Sequence, residues 1–384
     1  MPAPGDGGGH PNSGKSMPVT SNRPTALSAT DEAQPDDSAA ARPARHGRGV
    51  GRMLLNRLAF IPLALFGVIT ISFLLVSIMP GDPALAILGT TASEREVAAV
   101  RAELGLDRPL VERYVAYVGD VLQGDFGRSF FTGQDIGGEI LKYFPASIEL
   151  VVMALAIAAI VGISIGTAAG YYRGGLTDKA SRVVITGLQA IPEFLIGLLL
   201  IFFMFYLWRL APSPLGRLGI MDPYPPVVTR FLLIDLVLAG DWKTLGSALH
   251  RSMLPVLTLA LGAIPLFAKI TRTTVGAAMG SKQVQYARAC GLPEWRVVHY
   301  ALLQARTPIL TYTAMLFGAM VGGSAIIETM FSWQGLGQWG LAAIIALDIP
   351  AIQGFVIVTG LFTMVVYLVL DLLVLVLDPR IKHD

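Results

Sequence analysis

Two glycine-rich segments have the spacing of phosphate-binding loops. Gly9–Ser16 reads GHPNSGKS, which matches the G-x4-G-K-S pattern whose backbone amides and lysine hold nucleotide phosphates. That chemistry needs a buried strand before the glycines and a helix after them, and the flanking MPAPGDGG and MPVTSNRP supply neither. Gly335, Gly337 and Gly340 spell G-x-G-x-x-G without the βαβ unit of a dinucleotide site. We therefore predict that this chain binds no nucleotide or other cofactor.

Two glutamates lie in or beside apolar segments, where a charged group is costly. Glu193, in AIPEFLIG, falls near the middle of one segment and follows Pro192. It is a candidate for a solute path, and the alternative is a hydrogen-bonded structural carboxyl at the proline kink. Glu328 falls near the end of another segment, where a path rim and a contact with the membrane interface are both open. The histidines lack metal-ligand spacing, so we predict no metal site.

The composition is that of a membrane protein. Of the 384 residues, 53% are apolar and 15% are charged, whereas soluble domains carry about 25% charged residues. A net charge of +2 gives no electrostatic case for nucleic acid. Cys290 is the one cysteine, which excludes a disulfide framework and a cysteine-based zinc cluster. We expect the lipid bilayer to be the main surrounding of this chain.

Six apolar runs follow residue 48, each long enough, at about 20 residues, to cross a bilayer as a helix. Because lipid-exposed backbone must satisfy its own hydrogen bonds, they predict an all-α membrane protein with six transmembrane helices. The runs are Leu58–Met79, Ser147–Tyr171, Val183–Leu207, Met253–Val275, Thr307–Ile327 and Ile352–Leu377. A seventh run, Phe231–Ala239, is too short to span and predicts an interfacial or loop helix. Residues 1–48 lack an apolar run and predict a disordered extension before a transmembrane domain at 49–384.

Basic residues mark one side of the membrane. They concentrate before the first span, after the second, in the 276–306 loop and in the tail, which the positive-inside rule places in the cytoplasm. Both termini are therefore predicted to be cytoplasmic, and Lys269 and Arg272 are interpreted as inside-facing anchors. The segments predicted to face outward are 80–146, 208–252 and 328–351. The tryptophans interpreted as an aromatic belt at the outer boundary are Trp208, Trp242, Trp333 and Trp339.

Glycines recur at a spacing of four residues in two of the spans. This spacing lets helix backbones approach closely, so it predicts packing between helices of the bundle. The glycines are Gly162, Gly166 and Gly170 in the second span and Gly318 and Gly322 in the fifth.

The 276–306 loop is too long for a simple turn. Its segment Gln283–Gly291 reads QVQYARACG, and the small residues Ala287, Ala289 and Gly291 recur two apart. We predict a short helix on which these small residues form a flat face that another protein can approach closely.

From about Leu54 onward, the chain resembles the dipeptide, oligopeptide and nickel class of ABC-importer permeases. Six signatures occur in the family's order, and together they are far more specific than any one of them. They are MPGDP (Met79–Pro83), ELGLDRPLVERY (Glu103–Tyr114), GDFGRSF (Gly124–Phe130), YARACGLPEWRVV (Tyr286–Val298), IETMFSWQGLGQW (Ile327–Trp339) and DPRI (Asp378–Ile381).

The resemblance implies a type I ABC-importer permease bundle in the bacterial cytoplasmic (inner) membrane. It implies pairing with a second, homologous permease, docking of two ATPase subunits on the cytoplasmic coupling loops, of which the 276–306 loop is the one in this chain, and solute delivery by an extracytoplasmic binding protein. ATP and magnesium would be bound by the ATPases, so this chain would be a transport subunit and not an enzyme. The residues that correspond to the coupling helix are Tyr286, Ala287, Arg288, Ala289 and Gly291. Lys282 departs from the acidic residue that usually opens the motif.

Two alternatives to peptide import remain open. A permease of the same class could carry nickel or glutathione, because in this family the binding protein largely sets the solute. A stand-alone secondary transporter would be expected to show repeated halves and paired mid-membrane charges, and the sequence has no convincing repeat.

Overall fold

Helices are the main secondary structure in the described part of the chain. The computed structural model describes residues 48–78, 83–88, 92–103 and 105–377. Within these residues, the only strand-like pairing is an isolated bridge between Arg128 and Asp135, so the all-α prediction is confirmed there. The predicted extension, apart from residue 48, and the DPRI tail lie outside the described residues.

The helices are numbered in chain order. They are α1 (Arg48–Ile78), α2 (Pro83–Leu88), α3 (Glu94–Glu103), α4 (Leu110–Leu122), α5 (Ile136–Tyr171), α6 (Leu176–Gln189), α7 (Glu193–Leu200), α8 (Leu232–Ala239), α9 (Trp242–Met279), α10 (Lys282–Ala289), α11 (Glu294–Gly323), α12 (Ala325–Met330), α13 (Leu336–Ile345) and α14 (Ile349–Leu377). A π-helical stretch, Ile201–Leu207, continues α7.

The α5 glycines let α5 and α9 pack backbone to backbone, as predicted. A Cβ added at Gly162 would lie 2.5 Å from the Cβ of Phe267, and one added at Gly166 would lie 2.6 Å from the carbonyl oxygen of Ala268. A Cβ at Gly170 would lie 3.0 Å from backbone atoms of α9. Real Cβ atoms need more room than this, so the interface between the two helices depends on glycine.

The two glycines of the fifth predicted span differ in how closely other helices pack against them. A Cβ at Gly318 would lie 2.9 Å from Thr363 of α14, whereas one at Gly322 would meet no atom within 4 Å. Close packing is therefore confirmed at Gly318. At Gly322 it is wrong within the described chain, because that side of the helix faces open space.

Contacts along the helices give the direction of the chain. Along the α5–α9 interface the residue numbers rise together, from Gly162 against Phe267 to Gly170 against Arg272, so the two helices are parallel. The segment between them must therefore return the chain once to the opposite end of the bundle. Helices α6 and α7 with the π-helical stretch make that return.

Helix α11 is antiparallel to α5. At one end, Tyr171 of α5 donates a hydrogen bond to Glu294, the first residue of α11, at 3.0 Å. At the other end, Ser147 of α5 donates to Glu328, just beyond α11, at 2.6 Å. Helix α14 is parallel to α5, since Gly354 lies against Ile136 and the Phe144 and Phe362 rings meet further along.

The third predicted span, Val183–Leu207, is not one straight helix. Helices α6 and α7 meet at an angle of 95°, with the break at Ala190–Pro192. Proline lacks the N–H that a continuing helix needs and disfavours helical backbone at the residue before it, here Ile191. The kink predicted at Pro192 is therefore a sharp break within the third predicted span.

Three described helices are long and apolar enough to cross a membrane, and the bent α6–α7 pair makes a fourth if it counts as one span. The three are Ile136–Tyr171, Trp242–Met279 and Ile349–Leu370. The first predicted span falls in α1, which includes Pro62. The fifth falls mainly in α11, which stops at Gly323 before the short α12.

The short run Phe231–Ala239 forms a loop helix, as predicted. Asp235 of this helix is buried and accepts hydrogen bonds from the backbone N–H groups of Val228, Thr229 and Arg230 at 3.3, 2.7 and 3.1 Å. Although burial opposes charge on this carboxyl, the hydrogen bonds from Thr229 and its neighbours keep the pKa of Asp235 below its ordinary value. The Asp235 carboxylate therefore fixes the conformation of the preceding loop.

The four tryptophans of the predicted belt differ in burial. Trp208 and Trp242 are exposed, at 53% and 66%. Trp333 is 1% exposed and its indole N–H donates to the Ala146 carbonyl at 2.8 Å, so it belongs to the core. The prediction was wrong for Trp333 because the indole finds a hydrogen-bond partner inside the protein. Trp339 is half-buried and stacks on Tyr143.

Candidate functional site

Helix α10 is the predicted short helix of the 276–306 loop, and its start is capped. The Ser281 side chain accepts a hydrogen bond from the backbone N–H of Val284 at 3.3 Å. Serine at this position satisfies one of the N–H groups that a helix leaves unpaired at its start. The sequence therefore sets where α10 begins.

The end of α10 requires Gly291. Its φ is +71°, a left-handed conformation in which a side chain is strained. The Gly291 N–H bonds to the Arg288 carbonyl at 2.9 Å, and the Leu292 N–H bonds to the Ala287 carbonyl at 3.2 Å. This pair of bonds is the Schellman motif, which closes a helix and redirects the chain.

The small residues of α10 do not share one face. Val284 and Ala287 are buried against α9 and α11, whereas Ala289 is exposed and Tyr286 is 72% exposed. The predicted flat face was wrong because residues two apart in a helix point about 200° apart. Ala287 attaches α10 to its own chain, and Tyr286 is on the side that another protein could reach.

Arg288 fastens the α9–α11 loop to the bundle. Its Nε and Nη2 donate to the two carboxylate oxygens of Glu294 at 3.1 and 3.2 Å, and Tyr171 donates to the same carboxylate at 3.0 Å. The hydrogen bond from Arg288, then that from Tyr171, lower the pKa of Glu294 below its ordinary value. The same pairing raises the pKa of Arg288. Sequence reasoning missed Glu294 and Tyr171, although Glu294 lies within the YARACGLPEWRVV signature.

A groove of about 750 Å³ runs beside α10. Helix α10 forms one wall and residues 300–306 of α11 form the other. Its lining combines apolar, aromatic and basic side chains, including Lys282, Tyr286, Cys290, Leu303 and Arg306. Such a surface can receive an apolar segment of another protein and place an acidic group beside the two basic residues.

A buried ion pair holds the first turn of α6 against α9. Asp178 is 1% exposed and accepts from Arg272 Nε at 2.5 Å and from Arg182 at 3.0 Å. The Arg272 charge is therefore paired with Asp178 inside the protein, and its role as an inside-facing anchor stays a prediction. Lys269 is exposed.

Glu193 lies at the break between α6 and α7. It is the first residue of α7, and its carboxylate rests directly on Gly262 of α9, where a Cβ would collide with it. The residue is exposed in the isolated chain, and no described residue hydrogen-bonds to the carboxylate. The alternative of a hydrogen-bonded structural carboxyl was wrong within the described chain.

Glu328 is enclosed. It is 0% exposed, and its carboxylate accepts hydrogen bonds from Ser147 Oγ at 2.6 Å, Ser324 Oγ at 2.8 Å and the Gln338 N–H at 2.8 Å. Gly335 passes so close that a Cβ there would lie 2.5 Å from Oε2. In this conformation Glu328 joins α5 to the α12–α13 segment and meets no solvent.

The end of the GDFGRSF signature is hydrogen-bonded to Asp348, which directly precedes α14. Ser129 Oγ and the N–H groups of Phe130 and Phe131 donate to the buried Asp348 carboxylate at 2.5, 3.1 and 3.2 Å. Asp348 was not among the predicted site residues, and the only signal for it in the sequence is an acid between two apolar runs. Among the described residues, no cluster of His, Cys, Asp and Glu has the arrangement of a metal site.

Two family models together match most of the chain. Residues 158–383 match the binding-protein-dependent transport system inner membrane component, and residues 50–151 match the N-terminal part of such membrane components. The chain belongs to this family. It is the membrane permease subunit of an ABC importer, in which ATP hydrolysis belongs to a separate subunit and a binding protein is required.

Curated relatives match over nearly their whole length. The permease resembles the "Probable D,D-dipeptide transport system permease protein DdpB" of Escherichia coli K12, with 37% identity over 86% of this chain and 97% of the relative. It is 34% identical to the di/tripeptide permease DppB of Pseudomonas aeruginosa UCBPP-PA14, over 86% of this chain and 98% of the relative. It is also 34% identical to the dipeptide permease DppB of Escherichia coli K12, over 86% and 99%.

Proposed function

We propose that this permease imports short peptides across the bacterial cytoplasmic membrane. The observation that carries the proposal is the match to dipeptide and di/tripeptide permeases along nearly their full length. Nickel and glutathione remain the competing solutes within the class.

Uptake in a deletion strain tests the solute. Deleting the gene in its own host should abolish uptake of a labelled dipeptide, and a plasmid copy should restore it. Uptake of labelled nickel and glutathione in the same strains should not change. Normal peptide uptake combined with a loss of nickel or glutathione uptake would reassign the solute.

We infer six transmembrane spans with both termini in the cytoplasm. The basic-residue pattern supports this topology, as does the parallel direction of α5 and α9 with one return between them. Cys290 is exposed in the α9–α11 loop. A membrane-impermeant thiol reagent should leave it unlabelled in intact spheroplasts and label it after permeabilisation. Labelling of intact spheroplasts would contradict the topology.

We propose that the α10 surface and its groove receive one ATPase subunit, while a second, homologous permease brings the other. The exposed Tyr286, Arg288 and Ala289 and the turn at Gly291 would form the contact, and ATP and magnesium would stay on the ATPases. The purified permease alone in liposomes should transport nothing. Uptake by it without an ATPase would favour the stand-alone transporter.

We propose that Glu193 faces the translocation path between the two permeases. A carboxylate directed at lipid is costly, and Glu193 is exposed in the isolated chain without a hydrogen-bond partner among the described residues. Non-helical backbone at membrane depth, as at Ala190–Pro192, is tolerated beside protein or water but not lipid. Glu328 can line the path only if the hydrogen bonds that enclose its carboxylate break. Glu193→Gln should therefore lower uptake without lowering the amount of inserted permease.

A further inference from the structure

Helix α4 has an apolar stripe that no described residue covers. At 3.6 residues per turn, Val111, Val115 and Leu122 share one side of the helix, and they are 72%, 64% and 71% exposed. The charged Asp120 lies on the opposite side, and Glu112 lies at the border between the two sides. A helix divided in this way is amphipathic and needs an apolar neighbour along its stripe.

The adjoining side of α4 rests on α1. The Tyr114 hydroxyl lies 2.6 Å from the Thr70 hydroxyl, and the Tyr114 ring meets the Phe73 ring edge-on at 5.2 Å between centroids. Tyr117 also packs on Phe73, at 5.6 Å. These contacts fix α4 beside the C-terminal half of α1, so the depth of α4 follows from the position of that half.

The α1 residues beside α4 lie at the level of a membrane span. Val68, two residues before Thr70, packs on Gly360 of α14, where a Cβ would lie 3.4 Å away. Gly360 is roughly 16 Å along α14 from its start, at 1.5 Å per residue. Helix α14 is one of the helices long and apolar enough to cross a bilayer. Tyr114 therefore contacts α1 well inside the apolar layer.

The chain after α4 is fixed at the edge of that layer. Ser129 and Phe130 bond to Asp348, which directly precedes α14. The Tyr114–Tyr117 part of α4 thus lies between the level of Asp348 and the level of Gly360. At these levels α1 also exposes apolar side chains, including Ile71 at 59% and Leu74 at 43%, and α4 extends the same apolar exterior.

We propose that the Val111–Val115–Leu122 stripe lies against lipid acyl chains, so that α4 is an interfacial helix embedded in one leaflet. In the proposed topology this is the outer leaflet. The polar side, with Asp120, faces headgroups and water. Amphipathic helices bind membranes in this way through buried apolar area. This lipid contact is independent of the solute that the permease carries.

Spin labels at neighbouring positions test the proposal. The full-length permease, expressed in its own host so that its partners are present, would carry Cys290→Ser to remove the native thiol. It would then carry either Val115→Cys on the stripe or the matched Ala116→Cys on the exposed polar side. After purification into phosphatidylethanolamine and phosphatidylglycerol nanodiscs, the collision rates of each nitroxide with oxygen and with an aqueous nickel chelate would be measured.

The ratio of oxygen to nickel collisions should be several-fold higher at residue 115 than at residue 116. Equal ratios with high nickel access at both positions would show that the stripe faces water and would overturn the proposal. Low access of both reagents at 115 would show that protein covers the stripe, which would also overturn it. Val111→Cys provides a second label on the same stripe, to be judged by the same outcomes.

Discussion

Arg288 and Glu294 close the α9–α11 loop on itself through two hydrogen bonds of 3.1 and 3.2 Å. Five residues separate them in the chain, and the sharp turn at Gly291 brings them together. Because Tyr171 of α5 binds the same carboxylate, the pair also fixes the loop to the end of the bundle. A displacement of α10 would therefore be transmitted directly to α5 and α11.

Glu294→Gln should loosen the loop. The amide cannot form the ion pair with Arg288, so backbone N–H groups of residues 282–293 should exchange hydrogen faster in a hydrogen-exchange experiment. Asp107→Asn is the matched control, because it removes an exposed aspartate that pairs with Arg101 at 3.3 Å in another part of the chain. Unchanged exchange in Glu294→Gln would show that the pair does not order the loop.

The same pair predicts a pH dependence. Arg288 lowers the pKa of Glu294 in the folded loop. At any pH above the ordinary pKa of a glutamate, the ionised Glu294 carboxylate therefore stabilises the loop. This contribution is lost as the pH falls through the lowered pKa of Glu294. Exchange protection of residues 282–293 should fall in acid in the wild type. In Glu294→Gln this part of the pH dependence should be absent.

Substitutions at Gly291 should separate backbone strain from contact with the ATPase. A Cβ there meets nothing within 4 Å in this chain, so Gly291→Ala should cost only the left-handed conformation, about 1 kcal/mol. Gly291→Asn should cost less because asparagine tolerates that conformation. Gly291→Asp adds a charge at the proposed contact and should prevent co-purification of the ATPase, whereas Gly291→Asn should keep it. Equal ATPase recovery from both would argue against a contact here.

Gly166→Ala should destabilise the helix bundle. Its methyl group would lie 2.6 Å from the Ala268 carbonyl oxygen and from the Thr271 Cβ, and overpacking of this kind costs about 1–3 kcal/mol. Gly322→Ala, which meets no atom within 4 Å, should leave stability unchanged or slightly raise it. Thermal unfolding in detergent compares the two variants. Similar midpoints would contradict the close α5–α9 packing.

Glu328→Ala should destabilise the protein more than Glu328→Gln. Alanine leaves the buried donors of Ser147, Ser324 and Gln338 without an acceptor, at about 1–3 kcal/mol each if nothing replaces it. Glutamine keeps one acceptor oxygen and the shape. Thermal unfolding and uptake should be measured together. A Gln variant with normal stability and lost uptake would return Glu328 to the solute path.

The sequence by itself determined the helical class, the family and the start and end of α10. Long apolar runs leave a membrane-embedded backbone no alternative to internal hydrogen bonds. The caps at Ser281 and Gly291 are local, because each depends on backbone atoms within a few residues. Close helix packing at the α5 glycines could also be predicted, because residues spaced four apart lie on one side of a helix.

Only the tertiary structure decided which polar groups are paired. Asp178 with Arg272, Ser129 with Asp348 and Ser147 with Glu328 are separated by 94, 219 and 181 residues. No local pattern specifies such pairs, because each forms only once the helices have packed. The same holds for the faces of α10, since burial of Ala287 depends on where α9 and α11 lie. Spacing predicted the α10 helix, but packing determined which of its sides is exposed.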